Sequence, residues 1–353
     1  MKICILRLSA IGDCINAVAA VRLIQHYYPE ADITWIIGSA SASLLSPLLP
    51  EVTFIPYEKG GIPGVLSLRK KLRGQKFDIL LMMQYAFSAS MASLAVTAEK
   101  KIGFDKERSR DLQWLFCTGR IKNSGKRHVV DAFADFAQAV IPQEMSEKPF
   151  WNLHIPEYLT EKARKLLFSE ERKVCFLNPC TSKESKDWDW DCCCEIIAYL
   201  YSKGLEPVLL GGRSTREKNC ETYLRQKYPE LKSLAGRTSL AECMACISLG
   251  FMVISADTAA VHMANALGVP VIGLYATHDP RRVGPYLDKS WCVSVYEDLV
   301  RQEYHTSSEE LPWRTRVHLP GAMKKITPDM IKNKIDQICE SREILREKNC
   351  FRE

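Results

Sequence analysis

Nowhere does the chain run through the ~18 uninterrupted apolar residues that a membrane-spanning helix needs. Its apolar start is broken by Arg7, Asp13 and Arg22, so it reads as strand, turn and helix rather than as a secretory signal. Gly-x-Gly-x-x-Gly is missing, and with it the dinucleotide fingerprint. Gly119 to Lys126 imitates a phosphate loop, but the spacing is off by one and Arg127 stands where Ser or Thr is required. Charge of one sign is not in large excess. Lys and Arg number 48 against 42 Asp and Glu, a net +6 that is mild for a nucleic-acid binder but suits an acidic substrate or an anionic membrane surface. A disulfide framework is also missing, although there are 14 cysteines. Cys192, Cys193 and Cys194 are consecutive, and Cys4, Cys14 and Cys175 sit in apolar runs, so cysteine reads as a small hydrophobe in a reducing compartment. The one Cys-x-x-Cys, Cys243 to Cys246, has no second pair and falls in a predicted helix, which argues against zinc. Repeats and low-complexity tracts are absent. The expectation is a cytoplasmic protein with at most peripheral membrane contact, no nucleic-acid partner, no metal and no cofactor.

What is present is an alternation of short buried strands and amphipathic helices. Strands are predicted at 3–8, 33–37, 54–56 and 78–83, with helices at 15–28 and 65–73, giving a first α/β domain of about 150 residues. The rhythm lapses near Trp151 to Pro156, which places a boundary there. A second doubly wound domain follows. Its strands are predicted at 174–178, 206–210, 250–255 and 269–275, and its helices at 162–168, 192–201 and 240–247. The stretch 291–320 has no clear period. Thr327-Pro328 then starts a last helix, with Thr as N-cap and Pro in the first turn, running to about Arg346. The domains are thus 1–155, 156–326 and a C-terminal helix over 327–353.

The unit at 253–280 is strand, turn, helix, strand. Its turn, Asp257-Thr258-Ala259-Ala260, lies at the carboxyl end of a strand and the amino end of a helix, where free N–H groups and the helix dipole suit an anion. Small residues at 258–260 let a phosphate approach the backbone. Asp257 either orients this turn and accepts hydroxyls, or is an N-cap; His262 either faces the same mouth or is a partly buried helix residue. Two further strand ends matter in a doubly wound sheet: Thr181 to Lys186 and Gly211 to Glu217. Asp187, Asp189 and Asp191 form two overlapping Asp-x-Asp units of the kind that hold a divalent metal under a sugar diphosphate. Their place at a helix start favours a capping role instead. In the first domain, Arg69 belongs to the cluster at 69–73, and Arg120 to the basic segment 100–128. Arg108 and Arg110 lie in IGFDKERSRDLQW, where an anion clamp is expected.

RLSAIGD, PEADITWIIG, IGFDKERSRDLQWLF, NPCTSKESKDW and SADTAAVHMANALGVPVIGLY followed by HDPRRVGPY together resemble glycosyltransferase family 9, the bacterial heptosyltransferases, over nearly the whole chain. Within that family the chain looks most like the heptosyltransferase I type, in the branch acting on phosphorylated Kdo. The resemblance implies a GT-B architecture: two Rossmann-like doubly wound domains facing across a cleft, the first taking the acceptor, the second the nucleotide sugar, and the last helix packing back on the first. It implies that Asp13 is the catalytic base, and that Thr181, Ser182, Lys186, Glu217, Asp257, Thr258, Ala259 and His262 meet the donor. Ser9, Gly12, Arg69, Arg108, Arg110 and Arg120 are set in the acceptor site. Ala259 stands where the family carries Gly, a residue free to take φ > 0 where Ala resists it. The implied activity is inverting, metal-independent transfer of L-glycero-D-manno-heptose from ADP-heptose to Kdo-lipid A or its phosphorylated form, on the inner face of the cytoplasmic membrane. The alternatives are a GT-B transferase or epimerase using another nucleotide sugar, and a non-catalytic glycolipid-binding protein of that fold.

Overall fold

Strand β1 (Lys2–Leu6), in the computed structural model of the protein, carries four consecutive fully buried residues, Ile3 to Leu6. A strand so covered must lie inside a sheet with layers on both faces. The structure describes residues 1–167 and 173–350, with side chains to Arg342. Phe168, expected at the end of a helix, and residues 351–353 lie outside the described part. The chain divides into two units, Met1–Glu157 and Tyr158–Glu353.

In the first unit β1 is followed by α1 (Ile11–Tyr27), β2 (Asp32–Ile37), α2 (Ser39–Leu45), β3 (Thr53–Pro56), α3 (Gly61–Lys71), β4 (Phe77–Leu81), α4 (Phe87–Ala92), β5 (Ala98–Gly103), β6 (Gly119–Arg120) and α5 (Val129–Gln138). The sheet order is β3-β2-β1-β4-β5-β6, with every pairing parallel. Strand order therefore reverses between β1 and β4, and the two loops that leave there diverge and open a crevice. α1 is buried almost all round, from Cys14 through Ile24, because it packs on α5 as well as on its own sheet. Gly38 is required by contact: a Cβ there would stand 2.5 Å from the Leu8 carbonyl, to which the Gly38 N–H donates at 3.0 Å. The unit is closed by Trp151, whose indole N–H donates to Ile15 O at 2.8 Å. Arg22 meanwhile holds the carbonyls of Trp151 and Asn152, both at 3.0 Å.

The second unit runs α6 (Glu157–Leu167), β7 (Val174–Asn178), α7 (Trp190–Ser202), β8 (Glu206–Leu209), α8 (Thr215–Lys227), β9 (Lys232–Ser233), α9 (Leu240–Ser248), β10 (Met252–Ala256), α10 (Ala259–Leu267), β11 (Val271–Tyr275), α11 (Pro280–Val283), β12 (Val293–Ser294), α12 (Tyr296–Tyr304) and α13 (Pro328–Cys350). Its order, β12-β11-β10-β7-β8-β9, is again all parallel and reverses between β7 and β10. Each unit is therefore a Rossmann-like doubly wound domain, as expected. The stretch 291–320 is less irregular than its sequence: α12 buries Tyr296, Leu299 and Val300. α13 buries Ile331, Ile335 and Ile338, a helical stripe, in the core of the second unit against α7, and the Tyr199 hydroxyl donates to Asp336 at 2.7 Å. The described apolar face of this last helix thus belongs to the core of its own unit.

Candidate active site

The crevice of the second unit is lined from β7 and β10. The loop after β7 returns through a 3-10 turn that carries Lys186, and its ammonium meets the Asp257 carboxylate at 2.9 Å. The same Asp257 oxygen lies 3.1 Å from His278 Nδ1, which comes from the loop after β11. All three side chains are under one-fifth exposed. Burial pushes the Asp257 carboxyl upward, but the His278 hydrogen bond and the Lys186 charge outweigh it and hold the group well below the usual carboxylate range. Burial lowers His278 from its ordinary value despite the opposing pull of Asp257, so near neutral pH it meets the carboxylate as an uncharged Nδ1–H donor.

Thr258, not Asp257, caps α10: its hydroxyl accepts from the Ala260 N–H at 3.2 Å, and it also takes a hydrogen bond from Asn178 Nδ2 at 3.0 Å and touches Ser255 Oγ at 2.9 Å. The capping reading of Asp257 is thereby corrected: its carboxylate meets Lys186 and His278, and the Thr258 hydroxyl takes the Ala260 N–H. Ala259 is the first helical residue and does not have positive φ, so the methyl that replaces glycine costs the turn nothing. His262 is buried one turn into α10.

The loop itself is braced from beneath. Asp187 accepts from the Thr181 N–H at 2.6 Å and pairs with Arg216 Nε at 2.6 Å, and Arg216 also donates to the Thr181 carbonyl. Burial raises the Asp187 carboxyl against those partners. The Thr181 hydroxyl closes its own turn, donating to Lys183 O at 2.7 Å, while Ser182 is exposed. One sequence expectation changes here. Glu217, which the resemblance set at the donor, is engaged locally: its Oε2 forms the capping box of α8 with the Ser214 N–H and hydroxyl, and its Oε1 accepts from the Gly212 N–H. The three aspartates at 187–191 do not converge: Asp187 braces the loop, Asp189 caps α7 through the Asp191 and Cys192 N–H groups, and Asp191 pairs on the surface with Lys227. Among the described residues, no group of three or more His, Cys, Asp or Glu stands ready for a metal.

In the first unit, the loop between β1 and α1 is fixed by two residues that the sequence reading passed over. Gln84, after β4, accepts from the Leu8 and Ser9 N–H groups at 2.7 and 3.2 Å. Arg7 is buried; it donates to Met83 O at 2.7 Å, lies over the Phe133 ring and forms an ion pair with Asp13. Ala10 is the cap of α1 and offers no side chain, so Asp13, in the first turn, is not an N-cap. Its carboxylate stays about one-third exposed beside half-buried Ser9 and buried Gly12. Arg69, Arg110 and Arg120 are exposed. Arg108 is not: it is buried between Asp105 and Asp135, the second at 2.9 Å, and its charge is neutralised inside the fold. This overturns the expectation of an anion clamp at Arg108. Arg7, Gln84 and His278 could have been noticed only as polar residues at predicted strand ends.

A family model described as glycosyltransferase family 9 (heptosyltransferase) matches residues 65–313. The lipopolysaccharide core heptosyltransferase OpsX of Haemophilus influenzae is 40% identical over 92% of this chain and 93% of its own. Two solved structures share the fold: a family 9 glycosyltransferase of Veillonella parvula (TM-score 0.76, 17% identity, 96% of each chain) and an Escherichia coli heptosyltransferase solved with ADP-2-deoxy-2-fluoro heptose (TM-score 0.72, 18% identity, 96% of this chain and 99% of that one). With its two doubly wound units, a family model that spans most of the chain and every loop lining the second unit's crevice, and a relative 40% identical over nearly its whole length, the chain belongs to glycosyltransferase family 9 and is a glycosyltransferase.

Proposed function

We propose that the protein transfers L-glycero-D-manno-heptose from ADP-heptose to the Kdo, or phosphorylated Kdo, of lipid A during assembly of the lipopolysaccharide inner core. The observation that carries this reading is the Lys186–Asp257–His278 cluster beside the amino end of α10. An ammonium, free helix N–H groups and a hydroxyl loop meet at the switch point of a doubly wound sheet, which is what a diphosphate requires. Support for the donor comes from the Escherichia coli neighbour that holds an ADP-heptose analogue, and support for the pathway from the Haemophilus influenzae relative.

Asp13 acts as general base. The acceptor hydroxyl gives its proton to that carboxylate as its oxygen bonds to the anomeric carbon. The bond from that carbon to the diphosphate oxygen breaks, and ADP departs with the electron pair. Arg7 orients the base and Gln84 holds its loop. Lys186, the α10 N-terminus, Thr258 and the Thr181–Ser182 loop stabilise the leaving charge, the role that a metal fills in other transferases. One base and attack from the face opposite the leaving group invert the anomeric centre. Arg69, Arg110 and Arg120 meet the acid groups of the acceptor and the anionic inner face of the cytoplasmic membrane.

The test is incubation with ADP-heptose and Kdo-lipid A, followed by mass spectrometry of the glycan and NMR of the new anomeric proton, with and without EDTA. One added heptose of inverted configuration, formed equally with the chelator, is expected. Preferential binding of UDP in calorimetry would point to another nucleotide sugar. ADP binding without ADP release would make the protein a non-catalytic binder.

A further inference from the structure

The surface of the first unit holds a concentration of exposed apolar side chains with no role in the chemistry above. α3 packs against α4 and the 3-10 turn Ser93–Ala95, and α4 packs against the 3-10 turn Gln113–Phe116. Inward, Leu68, Ala89, Ala92 and Ala95 join one buried core. Outward, Ile62 and Leu66, one helical turn apart on α3, are 68% and 59% exposed. Leu94 and Leu115, on the two 3-10 turns, are 53% and 59% exposed, and Trp114 is 51% exposed. Phe87, 53% exposed, meets Phe116 edge to face with centroids 6.3 Å apart. Leu112 is held at φ 58° with its side chain outward and 54% exposed.

The charge around this face has one sign on α3. From Lys59 to Lys76 the chain carries six cations and no acid. Exposed Lys59, Lys70 and Arg73 flank the apolar residues on α3, and near Leu112 the charge is mixed, with Arg110 and Asp111 both exposed. Bulky apolar side chains rimmed by Lys and Arg fit the interface of an anionic bilayer, where the rings and aliphatic groups enter the acyl boundary and the cations meet headgroup phosphates. The face also has the right placement. α3, α4 and the Gln113–Phe116 turn follow the carboxyl ends of β3, β4 and β5, the end of the parallel sheet from which the Asp13 loop also leaves.

We propose that the protein docks on an anionic lipid surface through this face of α3, α4 and the two 3-10 turns, so that the Asp13 loop is presented to glycans at the bilayer interface. The inference deepens the reading of a lipid-anchored acceptor and rests on it.

The binding test contains neither donor nor acceptor, so it fails or succeeds independently of transfer. Wild type is expected to sediment with phosphatidylglycerol–phosphatidylcholine vesicles, more weakly at high salt, and not with pure phosphatidylcholine. The triple variant Leu66→Gln/Leu94→Gln/Leu115→Gln replaces only exposed side chains, so it should unfold like wild type while its partition falls about tenfold or more. It should also act normally on a deacylated, water-soluble acceptor and poorly on one embedded in vesicles. Brominated lipid should quench wild-type tryptophan emission, and less so in Trp114→Phe. Unchanged partition of the triple variant, or quenching that does not depend on Trp114, would overturn the assignment. A lipid-free dimer that the triple variant converts to monomer, with no vesicle binding by either protein, would give the face to a second copy of the chain instead.

Discussion

Replacing Asp257 by Asn removes one charge and almost no volume from the centre of the donor cluster. The lost carboxylate is the shared acceptor for Lys186 at 2.9 Å and His278 at 3.1 Å, with all three side chains 11–17% exposed. Removing one partner of a fully buried pair costs about 3–5 kcal/mol, and an exposed pair is worth ~0–1 kcal/mol. This cluster lies nearer the buried limit, but Lys186 keeps a path to water, so about 2 kcal/mol is expected at pH 7. The sign with pH follows from the depressed carboxyl. Its contribution is complete above the ordinary carboxylate value and is lost as pH falls through the lower folded value, so wild type and Asp257→Asn should converge in strong acid. His278 adds a separate slope: being lowered in the fold, it favours the unfolded chain when protonated, and stability should rise with pH through the window below 6.5. Hydrogen exchange at the amides of β7 and β10 reads the second unit alone. About 2 kcal/mol corresponds to ~30-fold faster exchange at pH 7. A double-mutant cycle with Lys186→Met should return most of that energy as coupling. Exchange within twofold of wild type, or coupling that persists unchanged in acid, would refute the cluster as an electrostatic unit.

Asp13→Ala is expected to lower the transfer rate by ~10²–10⁴ while ADP affinity stays at the wild-type value in calorimetry. Lys186→Ala should weaken ADP binding about tenfold or more, since one charge-assisted contact to the diphosphate is lost; an unchanged isotherm would take Lys186 out of the donor site. Arg108→Ala should destabilise the first unit by about 3–5 kcal/mol in chemical denaturation, because Asp105 and Asp135 would stay buried without their cation. Gly38→Ala should also destabilise that unit, as its methyl would press on the Leu8 carbonyl beside the Asp13 loop, and thermal unfolding measures it.

Much of this protein was legible in the sequence because its information is local. Buried parallel strands such as Val174–Asn178 are continuous apolar runs, and turns such as Asp257 to Ala260 are small residues at the foot of a helix. Runs of this kind gave the α/β class, the two units and the strand ends where a ligand can sit. α8 escaped notice because only Cys220 and Leu224 are buried along its whole length, and β6 because two residues carry no period. The partnerships of the charged groups were out of reach for a different reason. Lys186 and Asp257 are 71 residues apart, and Arg108 meets Asp135 across 27. Whether a cation awaits an anion or has already found one depends on which strands lie side by side. The loop around Arg108 suggested an anion clamp, and the family resemblance set Lys186 at the donor; the fold pairs both with carboxylates, Arg108 buried between Asp105 and Asp135 and Lys186 with Asp257 at the switch point of a sheet beside the amino end of α10. Residue type fixes what a side chain can do, while the dielectric and neighbours that only the folded chain supplies decide whether it is still available to do it.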